Sequence, residues 1–508
     1  MVLIFTVLLI ILVVIAVLKP LSKVHDILTY WNNKKVPYVP SLTSISVNWK
    51  TFLGYITFTD LCEYLYQYCP NAKYVCAMIF NTPTIIIGDH RLIQDVCVKD
   101  FEYFEDHSFL VDENIEPVVG KSLFSLRGDR WREMRNTLSP VFTTSKMKFM
   151  FELINKCSQN YVNYLVEHPE LCQTVQTKEI FQRFSNDVIA ITNYGVSVNS
   201  MKNPDNELYA KGSKASKLSF GFLASIKFVF LYLCPWLAKL MGVAFFPLTT
   251  TNFFKRFVTE IIEERKERNI IRQDLIHSLM QTQEKNDRVH KIGMDDIVSQ
   301  AFNFFFASID LTSKLMCFVA HELAVHQDIQ DRLREEVQRH FTESDEISYK
   351  SLMKMNYMDM VVTEILRKYP PLPFIDRLCI KKYELPPAQP GCENIIVEPG
   401  DSIIFPVYSL HHDPKYFAEP EKFDPDRFNE KNKGNILQYT YLPFGVGPRK
   451  CIALRFVLMK TKVLIAHLLQ RFTLKTVDKT LEPIAFSKKE FILSSANGFW
   501  ISLEKREA

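Results

Sequence analysis

The sequence has no Cys-x-x-Cys pair, its eleven cysteines being scattered from Cys62 to Cys451 without a tight regular framework. That argues against a disulfide scaffold and reads as reduced thiols in a chain facing the cytosol. After residue 45 there is no Ser/Gly-rich or charge-block linker, so although 508 residues would suit about three average domains, one large domain is preferred. A large excess of charge of one sign is lacking as well. A formal net of +4 argues against nucleic acid and suits a membrane surface or an acidic partner.

Apolar side chains are abundant, at 47% with 13% aromatic, enough for a sizeable core and a pocket for a bulky cofactor. Met1 to Leu18 is almost wholly apolar, broken only by Thr6, and as a helix would measure roughly 27 Å, near a bilayer's hydrocarbon thickness. No basic residue precedes this run and no Ala-x-Ala-like site follows it, which counts against a cleaved signal peptide. Lys19, Lys23, Lys34 and Lys35 follow it instead and keep the remainder cytosolic by the positive-inside rule. The expectation is an uncleaved anchor at 1–18, a connector at 19–45 stiffened by Pro20, Pro37 and Pro40, and a single domain at 46–508.

Along that domain, a short helix at Thr59–Tyr68 precedes strand-like runs Lys73–Phe80 and Pro83–Ile87, a hairpin of a small antiparallel sheet. Helical periods then dominate. Trp131 and Arg135 share a helix face at i and i+4, where an indole N–H and a guanidinium suit carboxylates, or simply form a solvated face. The aromatic stretch 218–248 is either a buried core helix or a membrane-dipping lid. Asp295 to about Phe341 reads as one very long helix, apolar all round at first and amphipathic later, which must run through the protein's middle. Glu364 and Arg367 lie at i and i+3 on a helix from Tyr357 to Tyr369, ended by Pro370-Pro371, and alone would be a surface ion pair.

The organising stretch is Phe444-Gly-Val-Gly447-Pro-Arg449-Lys-Cys451-Ile-Ala453, a tight loop that turns into a helix. Cys451 falls at or just before the helix N-terminus, where exposed amides, the helix dipole, Arg449 and Lys450 favour a thiolate. Taken alone, Cys451 reads better as a buried structural cysteine in a glycine-containing turn. The spacing Phe-x-x-Gly-x-Arg-x-Cys-x-small is far more specific, and it resembles the haem-ligand loop of the cytochrome P450 superfamily. The likeness covers nearly the whole chain in order, through Trp-x-x-x-Arg, the long helix, Glu-x-x-Arg, Asp426-Arg427-Phe428 and the Cys loop. It looks like a microsomal enzyme of the insect xenobiotic-metabolising type.

What the resemblance implies is a mainly α fold with small antiparallel sheets, a long central helix over the haem, and an N-terminal anchor in the endoplasmic reticulum membrane. The cofactor would be haem b, with Cys451 as the iron ligand, Phe444 packed on the thiolate side, and Trp131, Arg135, Arg377 and Arg449 on the propionates. Glu364, Arg367 and Arg427 would be the buried group that locks the haem loop. Phe124, Phe304, Ala307, Phe374 and Ala496 would line the substrate pocket. The partners implied are an NADPH–cytochrome reductase flavoprotein, cytochrome b5 and an apolar small molecule. The reductase would dock near Cys451 on Arg132, Lys146, Lys148, Lys450, Lys460 and Lys462.

Departures from the pattern are Ala453 where Gly is usual, Ser308 where Gly is usual, and Leu311 where Thr is usual. A leucine neither donates nor accepts a proton, which leaves Asp310 and Thr312 as relay candidates, Thr312 only if the helix bulges locally. Three functions are therefore carried forward: a monooxygenase fed by NADPH, a rearrangement enzyme using a pre-oxidised hydroperoxide, and a non-catalytic haem or lipophile binder.

Overall fold

The computed structural model describes residues 26–32, 34–108, 113–114, 116–216, 227, 241, 243–244, 246–284, 291–341 and 346–506. The expected anchor at 1–18 and most of the 218–248 stretch lie outside them. Helices α1 (Ser41–Phe52) and α2 (Phe58–Gln67) come first, α2 opened by a capping box in which Thr57 and Asp60 satisfy each other's backbone N–H. A hairpin of β1 (Tyr74–Ile79) and β2 (Thr82–Ile87) follows. Then come α3 (Gly128–Leu138), α4 (Thr144–Glu167), β3 (Val175–Gln176), α5 (Thr177–Ile189) and α6 (Leu248–Glu267). The central helix α7 (Met294–Val325) leads to α8 (Gln327–His340) and α9 (Asn356–Lys368). Short strands β4 (Ile375–Leu378), β5 (Tyr383–Leu385), β6 (Ile395–Val397) and β7 (Ser402–Phe405) precede α10 (Leu454–Arg471), β8 (Phe472–Lys475) and β9 (Trp500–Lys505).

The fold is mainly helical with small sheets, as the resemblance implies. The largest sheet runs β1-β2-β7-β4, and its β2–β7 pair is parallel, Ile85 opposite Ile403, while the other pairs are antiparallel. Elements covering both sides explain why β1 is buried along its whole length and reads as a continuous apolar run rather than an alternating one. Within the stretch expected as a connector, Trp31 is 1% exposed and its Nε1 donates to Ala77 O at 2.9 Å, while Val39 N donates to Cys76 O at 2.8 Å. Every cysteine among the described residues is a free thiol.

The helical pattern expected over 295–341 is two helices, not one. The break falls at His326 (φ −102, ψ 84), directly after the last turn of α7, which carries the buried Glu322 carboxylate. Glu322 draws Lys368 Nζ to 3.0 Å, the Tyr369 hydroxyl, and the His326 ring to 3.1 Å. Satisfying a buried charge this way fixes the exit of α7 against the end of α9. By length and composition α7 is long and apolar enough to cross a membrane, yet 78% of its most apolar stretch is buried in protein, which marks a core helix.

Candidate cofactor and oxygen site

The loop before α10 is shaped by two glycines with left-handed backbones, Gly445 (φ +71) and Gly447 (φ +75). A Cβ on Gly447 would fall 2.0 Å from Cys97 O, so no other residue fits there. Cys451 N donates to Phe444 O at 2.8 Å, closing the loop and placing the thiol just before the helix. Burial pushes the Cys451 thiol up, while N–H groups of Ala453 and Leu454 and the Arg135 charge pull it down. The cation that acts on the sulfur is thus Arg135, whose Nη2 donates to Lys450 O at 2.8 Å, rather than Arg449 or the exposed Lys450.

Arg449 turns away from the sulfur. It donates to Glu105 O (2.7 Å), Leu126 O (2.9 Å), Leu123 O (3.3 Å) and Asp106 Oδ1 (3.3 Å), and its guanidinium lies 4.0 Å over the Trp131 ring. Burial drives it down to about 9, with Asp106 opposing and Arg377 adding to the fall. Arg377, on β4, is 1% exposed; Nη1 donates to Asp376 O at 2.7 Å, and Nε is buried with no partner. Two buried guanidiniums that repel each other, with a donor left over, fit an anionic ligand such as the carboxylates of haem. His107, which the sequence reading missed, joins this cluster: Nδ1 is 3.0 Å from Asp376 Oδ1 and its ring stacks on the exposed Phe124 at 4.3 Å.

Behind the loop, Glu364 and Arg367 are both wholly buried and joined by two bonds of 2.8 Å. Arg427 approaches Glu364 only to 3.5 Å and spends its Nη donors on Ala418 O and Glu419 O. The stronger third member is His411, also missed. Arg367 Nη1 donates to His411 O (2.9 Å), and His411 Nε2 accepts from Leu442 N (2.9 Å), two residues before Phe444. An accepting Nε2 requires the neutral ring, and burial does hold His411 well below the usual histidine range. This relay carries the buried pair to the Cys loop.

On α7, the residues that are not fully buried include Asn303, Phe304, Phe306, Ala307 and Leu311, whereas Ser308, Asp310 and Thr312 are buried. The helix is regular α throughout, without the bulge Thr312 would need, and Thr312 Oγ1 has no partner. Asp310 Oδ2 pairs with Lys314 Nζ at 3.0 Å, while Oδ1 is buried and unpartnered. Phe304 stacks on Phe142 at 5.6 Å, Phe374 meets Phe491 at 5.4 Å, and Ala496 sits on an exposed turn.

Two residues of the expected docking patch do not belong to it. Lys460 is 0% exposed and reaches from α10 to Ser308, 2.9 Å to Oγ and 3.3 Å to O; burial holds this amine well below its ordinary value. Lys462 is buried against Asp359 at 2.7 Å. Both lie on helix faces turned inward, which sequence spacing from Cys451 did not reveal. Lys148 and Lys450 are exposed, Lys146 is half-buried, and Arg132 is tied to Glu105 at 2.7 Å.

A thiol presented just before a helix N-terminus, near two buried guanidiniums of which Arg377 keeps one unpartnered donor, is the arrangement of a haem-thiolate protein. The family model for cytochrome P450 matches residues 58–501, and the chain belongs to that family, whose members are monooxygenases that bind haem b through a cysteine thiolate. It is 40% identical over 511 residues to cytochrome P450 9e2 of Blattella germanica, covering 95% of this chain and 94% of that one. It is 38% identical to probable cytochrome P450 9f2 of Drosophila melanogaster (88% and 89% covered) and 33% identical to cytochrome P450 6j1 of Blattella germanica (93% and 91%).

Proposed function

We propose that this protein inserts one oxygen atom of dioxygen into an apolar small molecule, using electrons from NADPH relayed by a flavoprotein reductase, with cytochrome b5 as a second donor. The observation that carries this reading is the Cys451 loop held beside Arg449, Trp131 and the unpartnered Nε of Arg377. Cys451 would ligate the iron, Phe444 would pack on the sulfur side, and Trp131, Arg135, Arg377 and Arg449 would hold the propionates. Haem, when bound, supplies dioxygen activation, which no side chain here can perform.

The chain's own part is to keep a thiolate at Cys451 Sγ, neutralise the cofactor's acidic edge, exclude water with the apolar α7, and hold a proton near the reacting centre. Phe124, Phe304, Ala307, Phe374 and Ala496 are the proposed pocket residues, and their apolar character sets the substrate class. Residues 1–18 would anchor the protein in the endoplasmic reticulum membrane, which suits an apolar substrate that partitions into lipid. Leu311 carries no hydroxyl to assist protonation, so part of the NADPH consumed is expected to end as peroxide.

The test is the absorbance of the reduced, carbon monoxide-bound protein. Wild type gives the red-shifted band of thiolate-ligated haem and Cys451→Ala does not; an unchanged band in that variant removes Cys451 from the site. Leu311 also favours a second reading, rearrangement of a hydroperoxide substrate, which turnover without NADPH would reveal.

A further inference from the structure

One short turn, residues 121–126, is gripped from two sides. On one side stands Gln300 of α7: its Oε1 accepts from Leu123 N at 2.9 Å and its Nε2 donates to Lys121 O at 2.6 Å. On the other stands Arg449 of the cysteine loop, which donates from Nη1 to Leu123 O at 3.3 Å and from Nη2 to Leu126 O at 2.9 Å. A single residue, Leu123, thus gives its N–H to α7 and its C=O to the loop. The turn is closed within itself by Ser125 N and Leu126 N, each donating to Ser122 O at 2.9 Å, so it moves as one piece. Gln300 is wholly buried and spends both ends of its amide on this main chain. Removing it strands a buried N–H and a buried C=O, which the turn can satisfy only by shifting.

We propose that Gln300 is a positioning residue that sets, through the 121–126 turn, where the Arg449 guanidinium stands at the acidic edge of the haem, and so tunes the reduction potential of the iron and the hold on the cofactor. This rests on the reading of Arg449 as a propionate partner. Arg449 is located by three carbonyls and one carboxylate, Asp106, and two of those carbonyls belong to the turn. When the turn shifts, the guanidinium follows its acceptors away from the propionates. Their negative charge is then less compensated, which favours the more positive oxidised iron and lowers the potential. The neighbouring side chain supplies a built-in comparison: Ser299 Oγ donates to Val118 O at 2.7 Å, a tie from α7 to the same segment that lies outside the turn.

The experiment is a potentiometric titration of the holoenzyme, paired with the rate of haem transfer to an excess of apomyoglobin. Gln300→Leu, which has neither donor nor acceptor, is expected to move the potential to more negative values and to speed haem transfer about 10-fold, the order set by one or two lost hydrogen bonds. Ser299→Ala should leave the potential where it is. Gln300→Glu supplies the rescue: as a neutral acid it donates and accepts, as a carboxylate it only accepts. Relative to wild type at the same pH, its potential should lie close at low pH and fall as the introduced carboxyl ionises. A role in stability alone gives no such step. If Gln300→Leu takes up no haem, Gln300→Glu decides by itself. A wild-type potential in Gln300→Leu, or a Gln300→Glu potential that tracks wild type at every pH, overturns the inference while Arg449→Gln still shifts the potential. A potential unmoved by Arg449→Gln overturns the propionate reading of Arg449 instead.

Discussion

Leu311 and Gly447 show how much a single side chain decides here. Leu311 lies on the less buried face of α7, so Leu311→Thr introduces a hydroxyl without disturbing the core. Product per NADPH is expected to rise, by on the order of 10²-fold at most, when NADPH consumption, product and peroxide are measured together. Gly447→Ala has the opposite character: its Cβ meets Cys97 O and its backbone angle is closed to alanine. Haem content per protein should drop sharply, read from the pigment-to-protein absorbance ratio. The placement of Cys451 just before a helix was legible in the sequence because it sits in a spaced pattern whose other members announce the position. Lys460 was not. Nothing in its neighbours' spacing says that it points at Ser308, since a lysine on a helix is usually solvated and only the packed arrangement shows it buried.

Among the elements, α9 carries two buried ionic groups that respond differently to change. Glu364→Gln or Arg367→Ala leaves its partner charged and wholly buried, and a loss of about 3–5 kcal/mol is expected in denaturant unfolding. Arg427→Ala, 3.5 Å from Glu364 and partly exposed, should cost clearly less. Glu322 ties the end of α7 to the end of α9. Burial alone would raise its carboxyl, but His326, Lys368 and Tyr369 outweigh that and hold it down at about 2. Its folded value lies below the unfolded 4.5, so its contribution, roughly 3 kcal/mol, is complete above that value and is lost as pH falls toward 2. Glu322→Gln should flatten the acid limb of a stability-against-pH curve between those values. Helices here were readable from their periods and from Pro370-Pro371. The end of α7 at His326 was not, because no Gly or Pro marks it in the sequence.

At the scale of the whole molecule, the proposed reductase dock is confined to Arg132, Lys146, Lys148 and Lys450, since Lys460 and Lys462 point inward. Electron transfer should slow with rising ionic strength in stopped-flow reduction, and Lys148→Glu with Lys450→Glu should weaken that salt dependence. Lys462→Glu should instead lower stability by stranding Asp359 beside a second carboxylate. Overall architecture was legible from the order of motifs, whereas sheet topology was not: no local pattern says that Ile85 lies beside Ile403. That parallel pairing, and the antiparallel one of Val175 with Ile501, join stretches hundreds of residues apart along the chain. Contacts so distant are slow to form. A ribosome must therefore finish nearly the entire polypeptide before β3 can meet its partner strand, and a product ending short of residue 451 would lack α10, β8 and β9 and leave bare the apolar surfaces they cover.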